Sequence, residues 1–387
     1  MILFWSSVAA SVAAVLGCGY LIAATILVRR FARDRVCVSP TAAPGVTVLK
    51  PLHGDEPGLF DNLTSFCTQN YPGRIQIVCG VQDADDGAIP VVERLRKVQA
   101  DRDLDLVIEA KAHGLNRKVS NLVNMAARIR HDVVVLADSD IRVDPGYLSR
   151  VIAALDKPGI GAVTCLYYGV AVTGSWARLC ALIINVQFLP SVVVGLALGL
   201  ARPCFGSTVA LRRATLAEIG GFAAFADRLA DDYAIGEALR ARGCTIAIPP
   251  FAVAHICTQK SAGELWRHQL RWARTIRSID PVGYAGSIIS HALPWALIAA
   301  LIGAASTTLL PAMGIAIASI ACRMALLRQV ERAYGLPPQR YWLVPACDLL
   351  SFAVFVFSFL SWDVSWKGRR FRMVAGGAWV ADRGAHS

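Results

Sequence analysis

The chain has 387 residues, 55% of them hydrophobic, and carries a formal net charge of +11. This length suits one large domain or two small ones, and the positive charge suits an anionic membrane surface or an anionic substrate. The sequence contains no nucleic-acid-binding module and no internal repeat, so nucleic acid is excluded as an expected partner. The eleven cysteines are scattered without metal-ligand spacing, so we expect buried thiols.

The chain begins with a long apolar segment. Residues 2–28 carry no charge and exceed the ~20 residues that a helix needs to cross a bilayer. A cleaved signal peptide would begin with basic residues and have a shorter apolar core, so we predict a transmembrane anchor over residues 1–29. The basic run RRFARDR follows directly, and basic residues beside a membrane segment stay on the cytoplasmic side. Residues 30–280 are therefore expected to face the cytoplasm.

The next part of the chain alternates between strand and helix patterns. Strands are predicted at 45–52, 74–81, 105–110, 132–138 and 161–168. Helices are predicted at 55–69, 89–100 and 118–130, the first with Asp55 as its candidate N-cap. This alternation implies an α/β fold with a largely parallel sheet, in which ligands bind at the carboxyl ends of the strands.

The stretch VVVLADSD ends one predicted strand in two carboxylates, Asp138 and Asp140, and VQDADDG (81–87) ends another in the same way. Carboxylates are costly beside an apolar core unless something pairs with them, and oxygen ligands one residue apart suit Mg²⁺ or Mn²⁺. Such a cation usually accompanies a diphosphate. Because the chain lacks the Gly-x-x-x-x-Gly-Lys loop of P-loop NTPases, a nucleotide-sugar remains the common case. Taken alone, Asp-Ser-Asp is also an ordinary turn.

A second acidic motif opens the stretch ADDYAIGEALRARG, which has the pattern of an amphipathic helix. Asp231 and Asp232 fall in its first turn, where the helix dipole is a sufficient structural reason for acidic residues. The functional alternative is that one of them acts as a general base on an acceptor hydroxyl.

A basic helix is predicted over residues 263–277, with Arg267, Arg271 and Arg274 on one face. Such a helix could lie on the membrane surface, clamp a leaving diphosphate, or do both. Upstream of it, the apolar stretch 179–201 is interrupted by three residues, namely Asn185, Gln187 and Pro190. We predict that this stretch is buried or interfacial rather than a membrane span.

The C-terminal part is predicted to return to the membrane. Residues 282–322 are long enough for two crossings with Pro311 near the turn, and residues 341–362 form a third candidate despite Asp348. Three crossings would place the basic run WKGRRFR outside, against the positive-inside rule, so either one segment does not cross fully or the rule fails there. The expected domains are an anchor (1–29), a cytoplasmic domain (30–280), C-terminal transmembrane helices (281–362) and a basic tail (363–387).

The order of these motifs resembles that of membrane-bound, inverting GT-A glycosyltransferases, more closely the ceramide glucosyltransferase family and the bacterial glycosyltransferase of hopanoid biosynthesis. The segments that carry the resemblance are residues 48–88, 114–122, 138–145, 220–239 and 365–372. The resemblance covers nearly the whole chain. It implies a Rossmann-like GT-A domain with one N-terminal and two to three C-terminal transmembrane helices.

The resemblance assigns roles to the first acids and to a Lys–Asn pair. Asp83 and Asp86 match the motif that holds the uridine of the nucleotide, and Lys118 and Asn121 match the pair that lines the nucleotide site.

The later acids match the metal-binding and catalytic motifs of the same family. Asp138 and Asp140 match the motif that holds Mg²⁺ or Mn²⁺ and the UDP diphosphate. Asp232 matches the presumed catalytic base, and Asp231 stands where relatives often have Glu.

The basic helix matches the Gln/Arg-x-x-Arg-Trp motif through Arg271 and Trp272, with one departure. His268 occupies the first position of the motif, so the diphosphate contact usually made there is altered or is made by Arg267 or Arg274.

The resemblance implies an inverting transfer from a UDP-sugar, expected to be UDP-N-acetylglucosamine, to a hydroxyl of a membrane lipid, expected to be a hopanoid. A ceramide glucosyltransferase that uses UDP-glucose is the alternative. In that family, however, the motif that corresponds to Asp-Ser-Asp often reads Asp-Ser-Gly, with glycine at the position of Asp140. A processive polysaccharide synthase fits less well because of His268 and the few spans. A non-catalytic scaffold is disfavoured because all candidate acids are present. The expected location is the bacterial inner membrane, with the catalytic domain facing the cytoplasm.

Overall fold

The structure, a computed structural model, describes residues 1–33, 43–304 and 307–361 in full, and the backbone alone of 363–366, 369–373 and 379–381. Its α-helices are α1 (Ile2–Arg33), α2 (Leu59–Cys67), α3 (Ala88–Val98), α4 (Arg117–Ala126), α5 (Tyr147–Leu155), α6 (Ser175–Ile183), α7 (Leu189–Ala197), α8 (Arg213–Glu218), α9 (Asp231–Ala241), α10 (Ala262–Ile279), α11 (Pro281–Gly286), α12 (Ala292–Ile302), α13 (Leu309–Tyr334) and α14 (Val344–Ser358). A π-helix spans Ile184–Phe188, and 3₁₀ helices span Phe222–Phe225, Ser287–Ser290 and Tyr341–Leu343. The strands are β1 (Val46–Pro51), β2 (Ile75–Val81), β3 (Asp103–Ile108), β4 (Val133–Leu136), β5 (Ile141–Arg142), β6 (Ile160–Val163), β7 (Leu166–Ala171), β8 (Val209–Arg212), β9 (Thr245–Ala247), β10 (Ala252–Cys257), β11 (Asp363–Trp366), β12 (Arg369–Met373) and β13 (Trp379–Ala381).

The central sheet has seven strands in the order β3-β2-β1-β4-β8-β6-β9. Strands β3, β2, β1 and β4 run parallel, whereas β8 is antiparallel to both of its neighbours. Helices α2, α3 and α5 cover one face, and α4 and α9 cover the other. All four residues of β4 are buried, as expected for a strand covered on both faces. The predicted α/β fold with a mainly parallel sheet is confirmed.

A second sheet, in the order β5-β10-β7, forms beside the Asp-Ser-Asp motif. The single strand predicted over 161–168 is wrong, because the chain there forms two strands that belong to different sheets. The break falls after β6, where the backbone N–H of Thr164 donates to Ala247 O at 3.0 Å. The Thr164 hydroxyl also accepts a hydrogen bond from the backbone of Phe205 at 2.8 Å. These bonds turn the chain from the central sheet into the second one.

Helix α2 begins later than the sequence pattern suggests. Its N-cap is Gly58, whose φ of 86° lies in the left-handed region that favours glycine. The prediction that Asp55 caps this helix is therefore wrong, because Asp55 lies three residues before the cap.

The described chain holds four helical segments long and apolar enough to cross a membrane, namely α1, Ser175–Ala197, α13 and Tyr341–Ser358. A bent pair, Pro281–Ser290 and Ala292–Ile302, meets at 63° and would make a fifth. Helix α1 packs closely on α12, because a Cβ added to Gly17 would lie 2.8 Å from the Ala292 Cβ. These helices indicate a membrane protein.

The apolar stretches that the sequence singled out take different forms. The region predicted for two crossings is the bent pair followed by α13, which begins two residues before Pro311. The stretch 179–201 lies largely inside helices α6 and α7 and the π-helix, and residues 179–186 are all buried. The polar side chain of Asn185 can be buried here because both of its amide groups are hydrogen-bonded. Its Oδ1 accepts from Gly169 N at 2.8 Å, and its Nδ2 donates to Gly169 O at 3.1 Å.

Two further expectations can be compared with the described residues. The predicted basic tail contains the short antiparallel strands β11, β12 and β13, and its remaining residues lie outside the described part. The basic run RRFARDR forms the end of α1, and its last two residues lie outside the described part. The ten described cysteines are free, and seven of them are buried, as predicted. Cys37 lies outside the described residues.

Candidate active site

The carboxyl ends of β1, β2 and β4 open into a cavity of about 1300 Å³. Parallel strands place these ends at one edge of the sheet, which brings together motifs far apart in the chain. The sequence-predicted residues that line this cavity are Asp83, Lys118, Asn121, Asp138, Asp140, Asp231, Asp232, His268, Arg271 and Trp272. Asp86 does not line it.

Lys118 links two of the acidic motifs. Its Nζ lies 2.7 Å from Asp138 Oδ1 and 3.1 Å from Asp231 Oδ2. Burial disfavours its charge, but the nearby carboxylates of Asp138, Asp231 and Asp232 outweigh this effect and raise the pKa of Lys118 well above its usual value. Helix α4 positions Lys118 near its N-terminus, where Asn116 caps the helix by accepting from Val119 N at 3.2 Å. The cluster is therefore a fixed ion network.

Asp232 sits in the first turn of α9 and is held by backbone donors. Its Oδ2 accepts from Gly206 N at 2.7 Å, and its Oδ1 accepts from Tyr233 N at 2.8 Å. Burial, with the charge of Asp231 next, raises the pKa of Asp232 to about 6, although Lys118 opposes this. A carboxylate with this pKa is a competent proton acceptor near neutral pH. Gly206 was missed by sequence reasoning, because nothing local marks a glycine as a donor to a distant acid.

Asp140 lies on the other side of the motif and faces a histidine that sequence reasoning also missed. Strand β10 places His255 Nδ1 3.5 Å from Asp140 Oδ2. Asp140 Oδ1 is buried without a hydrogen-bond partner. Burial raises the pKa of Asp140, against the attraction of His255. The one available signal was a lone histidine in the apolar strand AVAHIC.

Lys50 lies beneath the Asp-Ser-Asp turn. Its Nζ donates to the backbone oxygen of Asp138 and lies 4.2 Å from the centre of the Phe66 ring. Burial lowers the pKa of Lys50 to about 8, against the attraction of Asp140 and Asp138. This contact fixes the backbone from which both carboxylates project.

The two acids after β2 lie in different surroundings. Asp83 is exposed and lines the cavity. Asp86 is buried, and its Oδ1 accepts hydrogen bonds from Gly54 N at 2.7 Å and Ala88 N at 2.9 Å. Asp86 therefore fastens the start of α3 to the loop after β1, and Asp83 is the member of the pair that a ligand can reach.

Asn121 lies one turn after Lys118 on α4. Its Nδ2 donates to Gly80 O at 2.7 Å, and its buried Oδ1 has no hydrogen-bond partner. A Cβ added to Gly80 would lie 2.5 Å from that Oδ1. The glycine therefore leaves room for the amide at the cavity wall.

Helix α10 presents only part of its basic face to the cavity. Arg271 lines the cavity, whereas Arg267 is exposed and does not. Burial lowers the pKa of Arg271, against the attraction of Asp140 and Asp138, but an arginine remains cationic. Burial, with Arg271 next, lowers the pKa of His268 well below its usual value, so this ring is neutral at pH 7. Because Arg267 does not line the cavity, the structure gives no support to the expectation that Arg267 makes the diphosphate contact in place of the Gln or Arg of the family motif.

An aromatic wall lies behind Arg271. The Trp272 ring centre is 4.6 Å from that of His268 and 5.6 Å from that of His255. Tyr167 stacks on Phe188 at 4.5 Å and contacts the Trp272 ring at 6.1 Å. These rings line the same cavity as the acid cluster.

The apolar end of the cavity is formed by membrane helices. Its lining residues there include Tyr20 of α1, Val192 of α7, Val282 of α11 and Phe355 of α14. Val282 is 82% exposed, so one cavity joins the acid cluster to surface that these helices present outward.

Comparisons with known proteins agree with this architecture. Residues 9–379 match the family described as Glycosyl transferase family 21. Ceramide glucosyltransferase 1 of Caenorhabditis elegans is 30% identical over 220 residues, which are 57% of this chain and 46% of the relative. Ceramide glucosyltransferase of Komagataella phaffii is 29% identical over 136 residues, 34% of this chain and 26% of the relative. The chain spans about half the length, or less, of these curated relatives.

A solved structure identifies the fold. The mannosyltransferase PcManGT of Pyrobaculum calidifontis, in complex with GDP-Man and Mn²⁺, superposes with a TM-score of 0.57 at 21% identity, over 92% of this chain and 99% of that chain. The likeness shows that the α/β domain has the GT-A glycosyltransferase fold. Because the family match covers well over half of its residues, the chain belongs to glycosyl transferase family 21.

Proposed function

We propose that the protein is an inverting glycosyltransferase that moves a sugar from a UDP-sugar to a hydroxyl of a membrane lipid. The observation that carries this proposal is the continuous cavity, which has an acid cluster at one end and the side chains of apolar helices at the other. A soluble acceptor would need no such apolar wall, and a non-catalytic protein would need no base with a raised pKa.

The donor nucleotide would bind at the sheet edge. Asp83 is exposed there and can accept hydrogen bonds from a nucleoside, while Lys118 and Asn121 line the adjacent wall. The unpartnered Asn121 Oδ1 would accept a hydrogen bond from the donor, which removes the penalty of a buried unsatisfied oxygen.

The residues around the Asp-Ser-Asp turn fit a divalent cation. Asp140 Oδ1 is buried without a partner, and a hard cation would satisfy it. The described residues hold no group of three or more His, Cys, Asp or Glu side chains placed to bind a metal. Mg²⁺ or Mn²⁺ would therefore be shared by Asp138, Asp140 and the substrate diphosphate, an arrangement typical of Mg²⁺. The mannosyltransferase with this fold was solved with Mn²⁺. When bound, the cation would supply charge that stabilises the leaving diphosphate.

Asp232 would act as the general base. Asp231 would keep Lys118 close to Asp232 through its ion pair with the Lys118 ammonium. The two backbone N–H groups fix the Asp232 carboxylate, which would take the proton of the acceptor hydroxyl as its oxygen attacks the anomeric carbon. The anomeric configuration inverts because nucleophile and leaving group lie on opposite faces. Arg271 would neutralise charge on departing UDP, and the neutral His268 would pack against Trp272 rather than contact the diphosphate through a charge.

The donor and acceptor are proposed as UDP-N-acetylglucosamine and a hopanoid. Asp140 stands where ceramide glucosyltransferases often have glycine, which favours a stricter cation requirement than in those enzymes. The named relatives favour the second candidate, UDP-glucose with ceramide. We place the protein in a bacterial inner membrane with the GT-A domain (30–280) facing the cytoplasm, where nucleotide sugars are made, and with residues 1–29 and 281–362 in the bilayer.

The test uses the purified full-length protein in detergent with Mg²⁺ or Mn²⁺. UDP-glucose and UDP-N-acetylglucosamine are each offered with a hopanoid polyol or with ceramide, and UDP release and lipid mass are measured. The gain of an N-acetylhexosamine on the hopanoid alone supports the first pair, and glucosylated ceramide supports the second. Absence of UDP release with all four pairs contradicts the proposal.

The matched variants are Asp232→Asn and Glu237→Gln, which remove one carboxylate each from helix α9. Loss of the general base should lower kcat by about 10²- to 10⁴-fold, with UDP affinity retained. Glu237 is exposed and pairs with Arg240 on the outer face of the helix, so its variant should keep wild-type activity. Retained transfer in Asp232→Asn would overturn the assignment of the base.

A further inference from the structure

The membrane end of the cavity contains polar groups that the chemistry proposed above does not use. Gln187, Ser290 and His291 line the cavity there. The Ser290 hydroxyl donates to Gln187 Oε1 at 3.3 Å, but Gln187 Nε2 and His291 Nδ1 are buried without hydrogen-bond partners among the described residues. A buried polar group that is left without a hydrogen bond destabilises the protein. Two of them on one apolar wall therefore indicate a polar ligand group at this position.

The backbone at both places is irregular. Gln187 lies in the π-helix between α6 and α7, and His291 lies at the 63° break between the 3₁₀ helix and α12. Single-turn π-helices occur frequently at functional sites. Non-helical backbone at membrane depth is tolerated where it lines a cavity or is buried in protein. Both polar side chains thus project from the two interrupted helices that border the cavity.

One arginine, Arg323, contacts the backbone at both helix interruptions. Pro190 and Pro294 have no N–H, so the carbonyls four residues earlier, Val186 O and Ser290 O, lack their α-helical donors. The Arg323 guanidinium donates to these two carbonyls at 2.8 and 2.6 Å. The residues that follow the two carbonyls directly are Gln187 and His291.

The charge of this arginine is itself satisfied. Arg323 Nε lies 2.9 Å from Asp348 Oδ1, and both side chains are 1% exposed. The pair therefore does not offer a free charge to a ligand. Its geometric effect is to hold the backbone next to Gln187 and His291 in place before any ligand binds, and preorganisation of this kind favours affinity.

We propose that Gln187, Ser290 and His291 form a second acceptor subsite, the membrane-side subsite, which binds a hydroxyl of the lipid other than the one that is glycosylated. A hydroxyl both accepts and donates, so it can take a hydrogen bond from Gln187 Nε2 and give one to His291 Nδ1. The acceptor class is then a lipid with more than one hydroxyl group. This inference rests on the proposed function for the identity of the bound molecule as an acceptor.

The first test measures binding without any donor sugar, so that it stands apart from the transferase assay. The full-length protein in nanodiscs is titrated with a hopanoid polyol and with a saturated mono-alcohol of similar length, and bound lipid is counted by native mass spectrometry. The polyol should bind about tenfold more tightly, as expected for one or two additional buried hydrogen bonds. Equal affinity for the two lipids would overturn the subsite, whatever the transferase assay gives.

The second test uses variants. Gln187→Leu and His291→Leu should each weaken polyol binding by about tenfold and leave mono-alcohol binding unchanged. The control is Ser319→Ala, which removes a buried hydroxyl that donates to Ile315 O in α13, contacts Cys18 Sγ of α1 and does not line the cavity. Equal losses for both lipids in the Gln187 and His291 variants would indicate a structural role and contradict the proposal. If UDP release fails with every lipid while polyol selectivity persists, the proposed function fails and the subsite stands.

Discussion

Gly206 holds Asp232 from one side and touches Asp138 from the other. Its backbone N–H donates to Asp232 Oδ2 at 2.7 Å, and its backbone oxygen accepts from Asp138 N at 3.1 Å. A Cβ added at this position would lie 2.4 Å from Asp138 Oδ2 and 3.2 Å from Lys118 Nζ. One glycine thus fixes the spacing between the proposed base and the proposed metal-binding acid.

Gly206→Ala should therefore impair transfer without unfolding the protein. The new methyl group displaces the Asp138 carboxylate, and a misplacement of about 1 Å can cost about 10²-fold in rate. Steady-state UDP release and a thermal unfolding scan measure the two effects. Gly314→Ala, where an added Cβ meets nothing within 4 Å, is the control and should keep full activity. Wild-type rates in Gly206→Ala would show that the spacing of the two acids is not critical.

The pH dependence of transfer should report Asp232. Burial and Asp231 raise its pKa to about 6 in the free protein, and a general base must be ionised to act. The ionised fraction falls as the pH drops through this value, so kcat/KM should decline on the acid side of about pH 6 and level off above pH 7. Asp232→Asn should have no such limb in its residual rate. An acid limb near pH 4 would show that a different carboxylate controls the reaction.

Arg271 and Arg267 provide a matched pair on one helix. Arg271 lines the cavity, whereas Arg267 is exposed outside it. Removal of a cation that stabilises a leaving group should lower kcat by about 10²- to 10³-fold in Arg271→Met, while Arg267→Met should change it little. The rates are compared at saturating UDP-sugar. A comparable loss in both variants would mean that the helix acts through its total charge at the membrane surface.

The sequence predicts those features of this fold that depend on local patterns. The buried run VVVL before Asp138 and the apolar helix spacing around Lys118 are visible within ten residues, so strand β4 and helix α4 are found where the pattern places them. Their convergence follows from the parallel sheet, which is why the acids meet. Boundaries are less accurate, because a cap such as Gly58 acts through its backbone angle rather than through a recognisable side chain.

The remaining features depend on partners distant in the chain. His255 pairs with Asp140 across 115 residues, because β10 forms beside β5. Asp348, taken alone, counts against a membrane span at residues 341–362. In the structure its carboxylate forms an ion pair with Arg323 of the preceding helix, α13. A pattern of apolar and polar residues carries no information about such pairing, so these contacts could not be predicted from the single sequence.

The pair of Arg323 and Asp348 should behave differently when one partner is removed and when both are. Arg323→Met leaves a buried carboxylate unpaired and removes the donor from two carbonyls, and breaking a buried pair typically destabilises a protein by about 3–5 kcal/mol. Replacing both residues, as in Arg323→Met with Asp348→Leu, avoids the unpaired charge and should recover part of the loss. It should not recover all of it, because Val186 O and Ser290 O still lack a donor.

Thermal unfolding of the three variants in detergent measures these differences, and a double-mutant cycle gives the coupling energy between the two side chains. Asp348→Leu alone leaves the guanidinium with its two carbonyl contacts, at 2.8 and 2.6 Å, but without a counter-charge. We therefore expect it to be destabilised as well. If the two single variants and the double variant are all as stable as the wild type, the ion pair contributes nothing to the folded state, and the two interrupted helices must be held by packing alone.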